Sequence, residues 1–377
     1  MEGRPVRMLL FTGKGGVGKT TLAAATAAAL AVGGRKVLVA SADPAHSLGD
    51  VFGMRVGAEP SEVDTCLYAA HVDARGLVDK AWQQIRRQLR SALAGAGIDE
   101  LDAAELSVLP GVDELLALTE VARLAESGVW EVVVVDCGPT AETLRLLALP
   151  EAVAGYLDRI GGRAPKAAVQ RLATHLAGLR RMLVDPDVTT VRLVLTPERM
   201  VVAETRRTLA ALALRGIGVD GLVANRVMPR ARLWQGPAAK WLRTRRSEQD
   251  AVLSELDLST NLAVRLVEHR PVEPVGVDAL LGLAAELYGD ADPLAVTYDA
   301  RPLLGIRSVE GGYELTVAVP LTDSAELDLA RVGDDLVITV DGVRRLVALP
   351  VLLRRHEITD AEAGADGVVL RFEAGGR

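Results

Sequence analysis

The sequence predicts an α/β protein, a doubly wound and mostly parallel sheet with a helical insert, followed by a small C-terminal all-β sandwich. Three observations carry this prediction. A glycine-rich loop, TGKGGVGKTT, stands between a short apolar run and an alanine-rich stretch. Further apolar runs then alternate with helical stretches, as a parallel sheet with covering helices requires. Past about residue 300 the pattern changes to period-two alternation broken by turn signals.

The elements follow in order. Residues 6–11, VRMLLF, read as a buried parallel strand. Residues 20–33, TTLAAATAAALAVG, read as a helix. KVLVASA (36–42) is a second strand with Asp43 after it, and VWEVVVV (129–135) is a third with Asp136 after it. VRLVL (191–195) and VDGLVA (219–224) are further strands. Ligands of such sheets sit at the carboxyl ends of the strands. Gly13, Asp43, Asp136 and Asn225 all follow strand ends and so can converge on one site.

Two long helical blocks interrupt this alternation, at about 74–128 and 151–185. Val78, Trp82, Ile85, Leu89 and Leu93 recur at helical spacing in the first, and Leu172, Leu176, Leu179 and Leu183 in the second. Such stripes either pack into the core or form the apolar surface of an inserted subdomain. The sequence leaves both open. GYELTVAVP (312–320), DDLVITV (334–340), VRRLVALP (343–350) and GVVLRFE (367–373) are the strands of the tail. The expected division is a nucleotide-binding domain over 1–298 and a β domain over 299–377. The glycine loop occurs once, so one nucleotide site is expected.

Composition narrows the class. The chain has 377 residues, 49% of them hydrophobic, and a net charge of −7. That balance carries no basic signature of nucleic-acid binding. Two distant cysteines, Cys66 and Cys137, indicate neither a disulfide framework nor a CxxC zinc site. The glycine loop follows the first strand at once, which speaks against a signal peptide. No run is long enough to span a bilayer. A cytoplasmic protein without a stable membrane anchor is expected.

The loop has a definite chemistry. Gly13, Gly18, Lys19 and Thr20 satisfy G-x-x-x-x-G-K-[ST]. Gly13, Gly15, Gly16 and Gly18 let the backbone approach an anion, and successive N–H groups around Val17 form a nest. The helix N-terminus adds positive potential. Lys19 then reaches the β- and γ-phosphates, and Thr20 offers a hydroxyl to Mg²⁺. Asp136 ends a run of four valines, placed to serve the same ion directly or through water. Asp43 opens DPAHSLGD (43–50), where a carboxylate can orient or deprotonate the attacking water. Lys14 is surplus to the motif. It cannot easily fold back onto its own phosphate but could cross to a neighbouring subunit's, as arginine fingers do in trans. That predicts a face-to-face homodimer holding two nucleotides.

GKGGVGKTT is similar to the deviant Walker A sequence of the septum-positioning, plasmid-partitioning, nitrogenase-iron-protein and arsenical-pump ATPases. DPAHSLGD (43–50) resembles switch I of the arsenical-pump (ArsA) and tail-anchored-protein-targeting ATPases. DCGPTAETLRLLALP (136–150) resembles their switch II and LPGVDELLALTEV (109–121) a helical-insert motif. TPERMVVAETRR (196–207) and ANRVMP (224–229) also match. The resemblance implies an ATPase with ATP and Mg²⁺ as cofactors. Lys14 is then the cross-subunit lysine, Lys19 the loop lysine, Thr20 the Mg²⁺ ligand and Thr21 a contact to the α-phosphate. Asp43 activates water, Asp136 serves Mg²⁺, Asn225 contacts adenine, and Glu198 approaches the partner's nucleotide. The segment near Pro271 closes over the base.

There are departures from that pattern. The targeting members bind zinc between their dimer halves through a CxxC, and here no cysteine follows Asn225. The arsenical pumps use several cysteines, the soft ligands that metalloid chemistry needs. Ala141-Glu142 replaces the Gly-His common in switch II. The tail strands resemble a small-heat-shock-protein (HSP20-like) domain. The resulting expectation is a Mg-ATP-hydrolysing homodimer that handles a client or partner protein. The alternatives are an ATPase driving an arsenite efflux pump and a chaperone in which ATP is structural.

Overall fold

The computed structural model describes residues 6–42, 47–72, 112–139, 166–231, 236–258, 262–295, 304–318, 327–340, 342–364 and 367–374. Asp43, His46, the first helical stripe (Val78 to Leu93), switch II beyond residue 139 and the block 151–165 lie outside the described residues.

In chain order the elements begin with β1 (Arg7–Gly13), α1 (Lys19–Val32), β2 (Val37–Ser41), α2 (Ser47–Phe52), β3 (Ser61–Asp64) and β4 (Leu67–His71). Next come α3 (Val112–Glu126), β5 (Val132–Pro139), α4 (Lys166–Val184), β6 (Thr189–Leu195), α5 (Arg199–Leu214) and β7 (Val219–Val227). They are followed by α6 (Pro237–Leu258), β8 (Val264–Glu268) and α7 (Val277–Tyr288). The tail contains β9 (Leu304–Val309), β10 (Gly312–Val317), β11 (Leu327–Val332) and β12 (Asp335–Val340). It closes with β13 (Val343–Ala348), β14 (His356–Gly364) and β15 (Gly367–Ala374). The chain divides into two compact units, Met1–Val194 with Pro271–Ala295, and Leu195–Arg270 with Val296–Arg377.

In the first unit the strand order is β3-β4-β2-β5-β1-β6. All pairings are parallel except β3 with β4. Every residue of β2 is buried, as is β1 beyond Arg7, because helices cover both faces of a parallel sheet. Register places Phe11, Asp136 and Ser41 side by side on β1, β5 and β2. Helix α1 is buried along most of its length, and its alanines let α7 pack closely against it. A buried polar chain joins these helices. Arg192 Nη1 donates to the Tyr288 hydroxyl at 2.8 Å, Tyr288 and Thr26 hydroxyls lie 2.6 Å apart, and Thr26 donates to Leu22 O at 2.7 Å. On α4, Leu176, Leu179 and Leu183 are buried, so this part of the second stripe packs inward. That favours the core reading over a client surface for these three residues.

In the second unit β7 and β8 pair in parallel beside α5 and α6. The tail is a two-sheet β sandwich, with orders β14-β15-β10-β9 and β11-β12-β13. Leu315, Val317, Leu336, Ile338, Val340, Val368, Leu370 and Phe372 build its core. Leu315 and Val317 do point inward from the alternating run that begins at Gly312. The sandwich core is not made by the tail alone. Ala210 and Leu214 of α5 belong to the same cluster, and the Arg345 guanidinium donates to the Leu214 carbonyl.

Candidate functional site

The site is built around the loop between β1 and α1. Gly13 is there because nothing larger fits: a Cβ would stand 2.0 Å from the Val194 carbonyl oxygen. Gly18 caps α1 in the left-handed region, with φ 97°, which a side chain would disfavour. It offers no side-chain cap, so the first-turn N–H groups remain for an anion. Val17 is buried beneath the loop, while Lys14, Gly15 and Gly16 are exposed.

The two lysines live in opposite surroundings. Lys19 is only 5% exposed, and its ammonium donates to the Lys14 carbonyl oxygen at 3.4 Å. Lys14 presents its side chain to solvent. Thr20 and Thr21 are half-buried in the first turn of α1. The Thr20 hydroxyl lies 3.1 Å from that of Ser47, the first residue of α2.

Asp136 is fully buried at the carboxyl end of β5. Ser41 of β2 donates to its Oδ2 at 3.2 Å, and the Asp136 carbonyl accepts from Ala42 N at 2.9 Å. The neighbouring Cys137 reports the local field. Burial first and the Asp136 charge second push its thiol pKa well up, while Lys19 pulls it down. Lys19 and Asp136 thus act on one buried neighbourhood. The set of hard donors near the loop, a threonine hydroxyl and a carboxylate, is the kind Mg²⁺ takes. Among the described residues no group of three or more His, Cys, Asp or Glu is clustered to hold a metal.

The remaining predicted residues are placed as follows. Pro271 is exposed in the first unit, in the loop before α7, and Gly276 N of that loop donates to Val51 O of α2 at 2.9 Å. In the second unit Asn225 lies near the end of β7, where a bulge interrupts pairing with β8. Its Oδ1 accepts from Arg226 N at 2.9 Å, and Arg226 takes the left-handed φ of 59°. Glu198 caps α5 in extended backbone and accepts from Arg245 of α6 at 3.2 Å. Asp43 lies outside the described residues.

Sequence reasoning missed three supporting residues. Ser41 carried no motif. Gln249 accepts from Met228 N at 2.7 Å and donates to Arg226 O, which holds the strand end beside Asn225. Arg246 of α6 is buried and donates to Met228 O at 2.6 Å. Neither contact has a local sequence signal.

Comparison with known proteins agrees with this geometry. Residues 6–177 and 162–289 match the ArsA ATPase family, described as anion-transporting ATPases. Residues 310–372 match the HSP20-like domain found in ArsA. A Mycobacterium tuberculosis protein, Rv2184c, is 36% identical, over 97% of this chain and 96% of its own. A Streptomyces coelicolor protein, SCO2128, is 34% identical over 97% of each. An Acidiphilium multivorum protein named arsenical pump-driving ATPase is 33% identical, over 77% of this chain and 50% of its own. With the loop, its buried lysine and the strand-end aspartate in place, the chain belongs to the ArsA ATPase family, an ATP-hydrolysing enzyme with a C-terminal HSP20-like domain.

Proposed function

We propose that this ATPase works as a Mg²⁺-dependent, nucleotide-gated homodimer that handles a client or partner protein. The carrying observation is the contrast between Lys19, buried under its own loop, and Lys14, exposed five residues earlier. Lys19 serves the phosphates of its own chain. Lys14 serves those of a second copy, where an added cation stabilises charge that builds during transfer. Thr20 and Asp136 hold Mg²⁺, which neutralises the phosphate oxygens when bound. Asp43 positions the attacking water and accepts its proton. Asn225 and the segment at Pro271 bind the base, and Glu198 approaches the second copy's nucleotide. Among the described residues no helix is long and apolar enough to cross a membrane. A cytoplasmic setting is part of this reading.

Mixing two inactive variants tests it. Lys14→Ala keeps its own Asp43, and Asp43→Asn keeps its own Lys14. A mixed dimer has one complete site, so an equimolar mixture should recover about a quarter of wild-type turnover if subunits exchange freely. Failure to recover activity despite mixed-dimer formation, or full activity of Lys14→Ala as a monomer, refutes the reading.

The name of the Acidiphilium relative favours a second reading, the driving of an arsenite pump. Its difficulty is the thiols: Cys137 is buried and Cys66 is half-buried with no second cysteine near it in sequence, whereas arsenite needs several accessible soft ligands. Arsenite-stimulated turnover would restore this reading.

A further inference from the structure

We infer that Ser47 supplies a second hydroxyl to the Mg²⁺ site, beside Thr20. The inference rests on the Mg-ATP reading above and adds a residue that the loop motif does not contain.

Thr20 is the second residue of α1, so its hydroxyl has no helical carbonyl four residues back to bind and is turned to a side-chain partner instead. Among the described residues its hydroxyl meets that of Ser47, and Ser47 meets no other partner. Two hydroxyls carry two protons and four lone pairs. Their mutual bond uses one of each, leaving hard oxygen donors beside the anion nest.

The spacing suits one ion. Mg²⁺ demands near-octahedral geometry with oxygens at about 2.0–2.1 Å, so adjacent ligands stand about 2.9 Å apart and opposite ones about 4.1 Å. The observed 3.1 Å is the adjacent case, reached by a closure of about 0.2 Å. Both hydroxyls would then hold the ion in place of their mutual hydrogen bond. Helix α2, which Ser47 begins, is anchored. Leu48 and Phe52 of α2 are buried, and Val51 O accepts from Gly276 N. The competing account is that Ser47 only orients Thr20 through a hydrogen bond.

Thiol substitution separates the two accounts. Ser47→Cys puts a soft sulfur where a hard oxygen was, which disfavours Mg²⁺ and favours Mn²⁺ or Cd²⁺. The readout is binding of a fluorescent ADP analogue to the full chain, titrated with each metal. Wild type should bind with Mg²⁺ or Mn²⁺. Ser47→Cys should lose Mg²⁺ affinity and recover with Mn²⁺, whereas loss of a merely orienting hydroxyl, about 10–100-fold, should persist with every metal. With Cd²⁺ and ADP it should show a cadmium–thiolate absorption band beyond that of wild type, which retains Cys66 and Cys137. Ser47→Thr should bind as wild type, which shows that the position tolerates exchange. An unchanged metal preference in Ser47→Cys, or wild-type Mg²⁺ affinity in Ser47→Ala, overturns the inference. If wild type itself binds the analogue equally with and without Mg²⁺, the Mg-ATP reading fails and takes this inference with it.

Discussion

Tyr288→Phe isolates one hydroxyl in the support of the nucleotide loop. Hydrogen-bond directions along that buried chain are determined. Thr26 has one hydroxyl proton and gives it to Leu22 O at 2.7 Å. The 2.6 Å contact is therefore Tyr288 donating to Thr26, which leaves the Tyr288 oxygen to accept from Arg192 at 2.8 Å. Removing the hydroxyl breaks one charge-assisted and one neutral hydrogen bond among residues that are all buried. At about 1.5–3 kcal/mol for the first and about 1 for the second, the loss is about 3 kcal/mol. The ring stays, and with it the stacking of the guanidinium over Tyr288 at 5.7 Å and the second Arg192 bond to Pro293 O at 3.0 Å. The assay is urea unfolding: the midpoint should fall with an unchanged slope. A cycle with Thr26→Val should give a coupling of about 1 kcal/mol or more. A Tyr288→Phe variant within about 0.5 kcal/mol of wild type, or no coupling, would refute the assignment.

Two further outcomes follow from particular contacts. Gly13→Ala must move backbone, since its Cβ would meet Val194 O at 2.0 Å and Val194 C at 3.0 Å, while a Cβ at Gly15 meets nothing within 4 Å. The thermal midpoint should therefore drop for Gly13→Ala and hold for Gly15→Ala, and equal midpoints would contradict the geometry. The Arg35–Asp292 pair sets a pH window. A hydrogen bond from Arg35 is the main cause that holds the Asp292 carboxyl below its ordinary pKa. A depressed carboxyl stabilises the fold above its unfolded value of about 3.9, and that contribution is lost as pH falls through the lowered folded value. The pair is 35% and 42% exposed, so its contribution should be at most about 1 kcal/mol. Wild type should exceed Asp292→Asn in urea midpoint at neutral pH and converge with it in acid. A pH-independent gap would show that the pairing is not the cause.

The parts legible in the sequence are those whose chemistry is local. Gly13, Gly18, Lys19 and Thr20 each answer a demand of one loop, so spacing alone finds them. The central strands were legible because burial on both faces permits almost nothing but apolar residues. The β3–β4 hairpin was not, because its turn uses Cys66 at φ 62° without the glycine that usually marks such a turn. β8 is half exposed and carries two charges in five residues, which blurs its pattern. Other features depend on distant partners. Tyr288 meets Thr26 across 262 positions. Ala210 and Leu214 are ordinary apolar helix positions, and nothing local tells that they complete the core of a β sandwich. Arg226 is a further case, since its left-handed backbone follows from how Asn225 and Gln249 hold the strand end.

The balance of charge gives the dimer proposal its physical content. Inside one chain the loop already brings one buried cation and one buried carboxylate to the same strand ends, Lys19 and Asp136. A triphosphate brings more negative charge than one Mg²⁺ cancels, and charge shifts further onto the phosphate oxygens as the bond breaks. Backbone N–H groups of the loop supply partial charges, fixed in number. A further full charge must come from a side chain able to reach in, and Lys14 stands on the exposed side of the same loop. If it reached its own phosphate, closure would need no second copy, and turnover would not depend on protein concentration. In the proposed dimer the cation arrives only when two loaded chains meet. Turnover per chain should then rise with concentration until dimers are saturated, and dilution should silence a chain whose nucleotide remains bound.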